Sequence, residues 1–475
     1  MNVSSASRRD FLKTAIAGAA GATATGSILA APSDEKKPNI VYFLADDMGY
    51  ADVGFNGCQD IRIPNLDKLA KQGAILDCLY GQPVCSPTRA TLLTGRYPTR
   101  TGVYNVAQNS GPLPLAERTL AQALREAGYS TAISGKWHLG TNGPEYLPTR
   151  RGFDHQYGFM GGGIDSFALG KNNVRDWYRD DRPCADDGYS TRLIAGEACR
   201  IIREQPANKP LFLYVATNAV HTPLLSPDEY KKPYENLPRQ RRELAGMTAA
   251  LDEAVGQITA ALDEKGMTRN TLVVFSSDNG GISWGSSSNR PLRGGKSDIY
   301  EGGIRLCSFV AWPGKVPAGI HIAEPIHVVD WYPTLCKLTG ASLAQELPLD
   351  GLDIWPVITQ GAKTPHDAFL LIGSRPGQRA IRIGDWKLLV NPGEFHPGKS
   401  KRAAIRNNPV ELYNVVDDIG EKNNLADAQP ERVKERLARL DAMTANPANP
   451  EFFAPPKAGD GGNKPTDSDT AEIAP

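Results

Sequence analysis

An apolar run that ends in two adjacent carboxylates lies near the start of the chain and reads Ile40-Val41-Tyr42-Phe43-Leu44-Ala45-Asp46-Asp47. A continuous apolar run of this length is typical of a β-strand that is buried on both faces of a sheet. Three later segments repeat the pattern, with polar residues and a turn after each: Ser130–Ile133, Leu211–Val215 and Leu272–Ser276. These four segments are predicted to be strands of one sheet.

Helical patterns lie between the predicted strands. Apolar residues recur at three- and four-residue steps from Leu244 to Leu262, and a second pattern ends before Gly128, as a helix with a C-terminal glycine does. Strands that alternate with helices predict an α/β fold, with a mainly parallel sheet sandwiched by helices. In such sheets ligands bind beyond the carboxyl ends of the strands, so we expect the polar clusters to meet at one edge.

The C-terminal part of the chain has a different pattern. Short alternating segments within Ala380–Val390 indicate antiparallel strands, and a final helix is predicted over about 430–443. We therefore expect a large catalytic domain over residues 36–363 and a smaller α+β subdomain over 364–445. Residues 446–475 are rich in Pro, Gly, Asp and Asn, which predicts a flexible tail.

The N-terminal segment, residues 1–31, is predicted to be a signal that takes no part in the fold. Ser7-Arg8-Arg9-Asp10-Phe11-Leu12-Lys13 precedes a weakly hydrophobic stretch of Ala, Gly and Thr. This arrangement resembles a twin-arginine export signal and predicts passage through the twin-arginine translocase to the periplasm or the medium. A membrane anchor is the weaker alternative because the stretch is short and contains three glycines, so no stable membrane insertion is expected.

The composition excludes several classes of protein. The 475 residues carry 53 Lys+Arg against 53 Asp+Glu, with 40% hydrophobic and 22% charged residues. These values exclude a polycation that coats nucleic acid and a disordered polyelectrolyte, and no nucleic-acid partner is expected. Because the overall charge supplies no steering of an anion, an anionic substrate requires local cations.

Carboxylates follow two of the predicted strands. Asp46-Asp47 and Asp278-Asn279 together offer three carboxylates and one amide carbonyl. Like charges at contact distance require a cation or a raised pKa, and hard oxygen ligands of this kind suit Ca²⁺ or Mg²⁺ and not zinc. Each aspartate on its own also suits a helix or turn cap, and that interpretation stays open.

A cysteine begins the segment Cys85-Ser86-Pro87-Thr88-Arg89. Pro87 fixes a turn, Arg89 places a permanent cation four residues from the cysteine, and the residues that follow indicate the start of a helix, whose N-terminal amides favour anions. A lone cysteine is most often a small buried hydrophobe, and this alternative also applies here. Seven cysteines are nevertheless an odd number for an exported protein, so one of them needs a chemical explanation.

Together with Leu93-Thr94-Gly95-Arg96, this segment resembles the signature of the type I sulfatases. The resemblance covers residues 38–426 and continues in chain order through Ala45–Gly49, Gly135–Gly140, His221–Pro223, Ser277–Gly281, Gly295-Lys296 and Tyr300–Gly303. Within the family, two segments most resemble the arylsulfatase B (N-acetylgalactosamine-4-sulfatase) branch: Leu147–Asp154 and Pro348–Trp355. The resemblance implies an alkaline-phosphatase-like fold with a mixed, mostly parallel sheet.

The same resemblance implies a sulfuric ester hydrolase that depends on Ca²⁺ and formylglycine. In this family a formylglycine-generating or sulfatase-maturing enzyme converts the cysteine at the position of Cys85 to 3-oxoalanine, whose hydrate is the nucleophile. One Ca²⁺ per chain is implied, with ligands at Asp46, Asp47, Asp278, Asn279 and the modified residue 85. The family pattern places the sulfate among Arg89, Lys136, His138, His221 and Lys296.

Proton transfers are assigned to the basic residues of this set. We expect His138 to take the proton that drives release of sulfate from the nucleophile, and either His221 or Lys296 to protonate the leaving alcohol. The other histidines are expected to be structural or surface residues: His155, His321, His327, His366 and His396.

A sulfated carbohydrate is the expected substrate. Two loops are candidates for a sugar-facing wall: residues 161–183, with Asp165, Trp177 and Tyr178, and residues 282–293, with Trp284 and Asn289. Both tryptophans equally suit packing. Two other functions stay open, namely a phosphomonoester or phosphonate hydrolase on the same scaffold, and a non-catalytic protein that binds sulfated glycans if Cys85 remains a thiol.

Overall fold

The four apolar runs form the centre of one large sheet. The computed structural model describes residues 36–107, 111–282, 286–393 and 410–453. In it, each run is a strand whose ends lie within two residues of the predicted ends. The strands, in chain order, are β1 Asn39–Ala45, β2 Ala74–Leu76, β3 Leu79–Tyr80, β4 Ser130–Gly135, β5 His155–Gly158, β6 Gly170–Lys171, β7 Val174–Arg175, β8 Tyr178–Arg179, β9 Arg182–Pro183, β10 Leu211–Ala216, β11 Thr271–Ser277, β12 Arg305–Leu306, β13 Ser308–Ala311, β14 Ile320–Ile322, β15 Ile326–His327, β16 Phe369–Ile372, β17 Arg379–Ile383, β18 Trp386–Val390 and β19 Val410–Asn414.

Helices fill the connections between strands, as the spacing of apolar residues predicts. Among the described residues, none of them combines the length and the apolar character needed to cross a bilayer. The α-helices are α1 Pro64–Lys71, α2 Cys85–Thr94, α3 Pro98–Thr101, α4 Leu120–Glu126, α5 Ser190–Glu204, α6 Asp228–Lys231, α7 Arg239–Glu264, α8 Glu301–Ile304, α9 Trp331–Thr339, α10 Trp355–Gln360 and α11 Pro430–Met443.

The large sheet has the strand order β14-β2-β13-β11-β1-β10-β4-β5-β8-β9. Its centre is parallel, since β1 pairs in parallel with both β10 and β11, and β4 continues the parallel arrangement to β5. Antiparallel pairs flank this centre on both sides, from β11 to β13 and β2 and from β5 to β8 and β9. The predicted mixed, mostly parallel α/β architecture is therefore confirmed.

Strand β1 shows why its run is apolar throughout. Ile40, Tyr42 and Leu44 belong to one buried cluster, which includes residues of α2, α4 and α9. The alternate residues Val41 and Phe43 belong to a second cluster, on residues of α1, α5 and α7. Because helices cover both faces of the sheet, the apolar run from Ile40 to Ala45 is at most 1% exposed at any position.

The C-terminal part of the chain forms a separate antiparallel sheet, in the order β16-β17-β18-β19. Helix α11 has the predicted bounds and packs Leu440 onto this sheet. The packed structure continues past the predicted start of the tail at residue 446, since Phe452 stacks on Tyr104 with ring centroids 4.1 Å apart. Residues 454–475 and the predicted signal at 1–31 lie outside the described residues.

A buried ionic cluster joins the C-terminal sheet to the large domain. Lys387, on β18, donates hydrogen bonds of 2.9 Å to both Glu301 and Glu421, and none of the three side chains reaches solvent. Glu301 begins α8, whose glycines pack on Gly280: the Gly280 amide donates to the Gly303 carbonyl at 3.0 Å. The C-terminal sheet therefore braces the segment that follows β11.

Candidate active site

Acidic residues meet where β1 and β11 end. The parallel register pairs Ala45 with Ser277, so the next residues along both strands, Asp46 and Asp278, are neighbours. The Asp47 amide donates to Asp278 Oδ1 at 3.2 Å. All of these carboxylates are buried, and Asp47 has a φ of 61°, in the left-handed region that turns the chain immediately after the strand.

Cys85 is the first residue of α2, which begins three residues before Thr88, the start indicated by the sequence. Val84 before it is extended, and Pro87 lies in the first helical turn, where its missing amide hydrogen costs no hydrogen bond. Cys85 is 1% exposed, and every other residue of α2 is buried too. Its Sγ lies 3.5 Å from Asp46 Oδ1. The cysteine therefore borders the acidic cluster.

Arg89 lies one helical turn after Cys85 and faces the carboxylates. Its Nη2 and Nε donate to Asp278 Oδ2 at 2.7 and 3.1 Å. Burial disfavours the charged guanidinium, but Asp278 and the other acidic groups nearby together outweigh this effect and raise the pKa of Arg89. Burial, together with the neighbouring Asp46 carboxylate, raises the pKa of Asp278 to about 7, although Arg89 opposes the shift. Arg89 thus neutralises the cluster, and its role in sulfate binding stays a prediction.

Two lysines neutralise the other carboxylates. Lys136, directly after β4, places Nζ 2.6 Å from Asp46 Oδ2 and is fully buried. Lys296 places Nζ 2.8 Å from Asp47 Oδ2 and is 12% exposed. Burial acts to raise the pKa of Asp46, but Lys136 and the other nearby cationic groups hold it well below its usual range. Asp46 is therefore ionised despite its burial.

His138 and His221 follow β4 and β10 and are both buried. Burial, reinforced by Lys136, lowers the pKa of His138 well below its usual value. Burial and Lys296 likewise lower the pKa of His221. The Nδ1 atom of His221 lies 2.5 Å from the Thr222 carbonyl oxygen. A carbonyl oxygen can only accept a hydrogen bond, so Nδ1 carries the hydrogen. Nε2 is then the acceptor that faces Lys296 Nζ at 3.1 Å.

The donors at the sheet edge fit a hard divalent cation. Ligand atoms of Asp46, Asp47, Cys85 and His221 lie within 4.8 Å of one another. Asn279 donates through Nδ2 to Asp47 Oδ1 at 2.7 Å, which leaves its buried Oδ1 without a hydrogen-bond partner among the described residues. An orphaned amide oxygen beside carboxylates is the arrangement that Ca²⁺ or Mg²⁺ satisfies.

Several residues of the site carry no role in the sequence analysis. The Ser86 hydroxyl donates to the His138 carbonyl at 2.8 Å and so ties α2 to the segment after β4. The Ser277 hydroxyl accepts from the Met48 amide and donates to the Asn279 carbonyl. Gly162 and Gly163 pack against the rings of the two histidines. Three consecutive glycines at 161–163 were the available signal for this contact.

The predicted sugar-facing walls are partly corrected by the structure. Trp177 is fully buried and packs edge-on against Tyr157, so it is a core residue. Asn289 is buried as well, and its amide holds the main chain of Gly281 through two hydrogen bonds of 2.9 Å. Trp284 lies outside the described residues.

The remaining histidines lie away from the acidic cluster, as expected. His155 pairs with Glu197 at 2.7 Å and His366 with Asp330 at 2.6 Å. His321 pairs with Asp77 at the surface, and His327 caps a helical turn. His396 lies outside the described residues.

Comparisons with known proteins agree with this geometry. The family model described as "Sulfatase" matches residues 38–341. Mouse arylsulfatase J is 36% identical over 85% of this chain and 75% of its own, and human arylsulfatase A is 33% identical over 89% and 90%. Crystalline Ps i-CgsB in complex with k-i-k-neocarrahexaose superposes with a TM-score of 0.79 at 33% identity, covering 88% of this chain and 95% of that one. These relatives do not single out the arylsulfatase B branch. They do show that the chain belongs to the sulfatase family and hydrolyses sulfate esters.

Proposed function

We propose that this protein releases inorganic sulfate from a sulfated carbohydrate and depends on Ca²⁺ and on conversion of Cys85 to formylglycine. The observation that carries the proposal is the position of Cys85, at the buried start of α2 and 3.5 Å from a carboxylate of the acidic cluster. A small buried hydrophobe has no reason to adjoin three carboxylates and three cationic side chains. A residue that acts as a nucleophile and as a metal ligand requires such charged neighbours.

The cation would be held by Asp46, Asp47, Asp278 and Asn279, with residue 85. When bound, Ca²⁺ supplies positive charge next to the sulfate oxygens, on which negative charge builds during transfer. The three carboxylates are balanced within the cluster by Arg89, Lys136 and Lys296. A divalent ion therefore gives the site the excess positive charge that a monoanionic sulfate ester requires.

Residue 85 is proposed as the nucleophile. As a formylglycine hydrate it supplies one hydroxyl for attack on sulfur and a second whose collapse ejects sulfate. Burial raises the pKa of the Cys85 thiol well above its usual value, so negative charge at this position depends on the nearby cations Lys136 and Lys296, which favour it. The helix start adds N-terminal amides with the same preference.

The geometry of the histidines and Lys296 supports one choice among the proton transfers that the sequence left open. His138 is neutral because its pKa is depressed, so it can accept the proton of the collapsing nucleophile. Nε2 of His221 faces Lys296 as an acceptor and carries no proton to give. Lys296 is therefore the proposed donor to the leaving alcohol, and His221 orients its ammonium group.

A sulfated carbohydrate is proposed because of the relatives and the mouth of the site. Ps i-CgsB, which shares the fold over most of its length, was crystallised with an oligosaccharide. Lys296 and His221 are the site residues that reach solvent, so the leaving group lies on their side. The loop at 161–183 borders the same side through Gly163, which touches His221.

Export through the twin-arginine translocase and maturation by a formylglycine-generating or sulfatase-maturing enzyme complete the proposal. The two arginines at positions 8 and 9 and the weakly hydrophobic stretch behind them support export. The match of residues 85–89 to the family signature supports maturation. The resulting location is the periplasm or the medium.

Turnover of matched esters tests the function. We expect sulfate release from sulfated oligosaccharides, such as carrageenan and glycosaminoglycan fragments, with a kcat/KM that exceeds the value for 4-nitrophenyl sulfate. The corresponding phosphate esters should react more slowly. Faster phosphate release would reassign the protein as a phosphoesterase. If no sulfated saccharide outperforms the aryl ester, the carbohydrate assignment fails.

Metal removal provides a separate prediction. Dialysis against a chelator should lower sulfate release by at least about 100-fold, because the developing charge loses its divalent partner. Added Ca²⁺ should restore the rate, whereas Zn²⁺, which prefers nitrogen and sulfur ligands, should not. The measurement is kcat at saturating substrate against free metal concentration. Full activity in the metal-free protein would contradict the assignment of the acidic cluster.

A further inference from the structure

We propose that Asp176 is a positioning residue, which holds the main chain of Gly162 and Gly163 against the rings of His138 and His221 and thereby fixes both imidazoles. The inference rests on the proposed function, since it takes His138 as the proton acceptor and His221 as the partner of the proton donor. Asp176 acts through the main chain, since its carboxylate binds the amides of Met160 and Gly161.

The two glycines lie directly on the imidazole rings. A Cβ built on Gly162 would lie 2.8 Å from His138 Nε2, and one built on Gly163 would lie 2.7 Å from His221 Cε1. Such distances are shorter than any ordinary carbon contact, so the main chain itself is the surface that limits ring movement. One short segment therefore restrains both histidines, which come from different strands.

Asp176 anchors the residues that lead into the two glycines. Its Oδ1 accepts from the Met160 amide at 3.0 Å and its Oδ2 from the Gly161 amide at 2.8 Å. The Asp176 amide in turn donates to the Leu169 carbonyl at 2.9 Å. The carboxylate is half-buried, and burial raises its pKa while the two amides oppose the shift. Its two oxygens are thus both committed to the residues that lead into the glycines.

Main-chain hydrogen bonds also tie the residues before the glycines to the segment that carries His138. The Trp137 amide donates to the Phe159 carbonyl at 3.0 Å, and the His138 amide donates to the Met160 carbonyl at 3.1 Å. Met160 is therefore held by His138 on one side and by Asp176 on the other. Without the carboxylate, the glycines that follow have few restraints of their own, because glycine is the most flexible residue of the chain.

Kinetics of Asp176→Asn and Asp176→Ala provide the first test. We expect kcat to fall by about 10- to 100-fold in the alanine variant and less in the asparagine variant, which keeps one acceptor, while KM changes less than about 3-fold. The loss should be equal for 4-nitrophenyl sulfate and a sulfated oligosaccharide. A loss confined to the saccharide would make Asp176 a sugar-binding residue and would overturn the proposal.

A double-variant cycle separates positioning from general stability. Gly162→Ala should displace the segment from His138 directly, so that adding Asp176→Ala to it lowers kcat by much less than the product of the single factors. Multiplying factors would indicate two independent effects and would contradict the proposed route.

Asp252→Asn is the matched control. Like Asp176, Asp252 accepts from two successive amides, those of Asn65 and Leu66, but it is more deeply buried and lies on the helix α7. This variant should lower the melting temperature about as much as Asp176→Asn and leave kcat unchanged. If both variants lose activity in proportion to stability, Asp176 is structural only.

Imidazole NMR spectra test the inference without reference to turnover. In full-length protein labelled at histidine nitrogen, Asp176→Ala should shift or broaden the signals of His138 and His221, assigned by single substitutions, and Asp252→Asn should not. Unchanged histidine signals would refute the inference even if the protein proved inactive on every sulfate ester. Shifted signals in an inactive protein would instead count against the proposed function alone.

Discussion

Cys85→Ala is expected to abolish sulfate release, with kcat reduced by on the order of 10⁴-fold or more, because the side chain that becomes the nucleophile is removed. The fold should persist, since a single buried sulfur contributes only about 1 kcal/mol of packing at such a position. Sulfate release measured on the purified, folded variant gives the answer. A kcat for the variant within about 10-fold of the value for the protein without the substitution would refute the nucleophile assignment.

Cys336→Ala supplies the control for this prediction. Cys336 is equally buried but lies on α9, away from the acidic cluster. Its loss should lower the melting temperature by a similar amount and leave turnover intact. Intact mass of the peptide that contains residue 85, from active protein of the native host, should show an aldehyde in place of the thiol. An active preparation with only the thiol would exclude the proposed chemistry.

Asp278→Ala is expected to eliminate turnover and to destabilise the protein as well. Removing this carboxylate breaks the 2.7 Å pair with the fully buried guanidinium of Arg89, whose other carboxylate neighbour, Asp46, lies at 3.9 Å. Breaking a buried pair costs about 3–5 kcal/mol. The substitution also removes a proposed metal ligand, so Ca²⁺ binding measured by titration calorimetry should weaken by at least about 10-fold. Thermal unfolding and sulfate release complete the measurement.

Asp278→Asn separates these two effects. The amide keeps an oxygen that accepts from Arg89, so most of the stability should return while turnover and Ca²⁺ affinity stay low. Asp330→Asn, at a buried carboxylate that pairs with His366, is the control and should affect stability alone. Normal Ca²⁺ affinity in Asp278→Asn would remove Asp278 from the ligand set.

The centre of the fold was predictable because its pattern is strong. Helices cover β1 on both faces, so its continuous apolar run indicates a buried strand. The three- and four-residue spacing of apolar residues in α7 likewise indicates a helix. The positions and the order of the strands that flank this centre were not predicted. Strands such as β2 and β14 have three residues each, which is too short for a period to be recognised.

The candidate site was predictable to the extent that its residues carry charge or nucleophilic atoms. Asp46 and Asp278 meet because parallel strands bring their carboxyl ends to one edge. Two features were not accessible from sequence. The burial of Trp177 could not be read from the sequence, since aromatic residues suit both cores and sugar-binding surfaces. Gly162 and Gly163 have no functional atom and contribute only by allowing close approach.

The burial of α2 has a consequence for the order of events during biosynthesis. A macromolecular catalyst cannot reach a thiol that is 1% exposed within a helix whose every residue is covered. The proposed conversion of Cys85 is therefore expected to take place on the nascent or unfolded polypeptide, before the sheet closes around it. Protein produced in a host that lacks the converting enzyme would fold around an inert thiol, and later incubation with that enzyme would not rescue it unless the chain were first denatured.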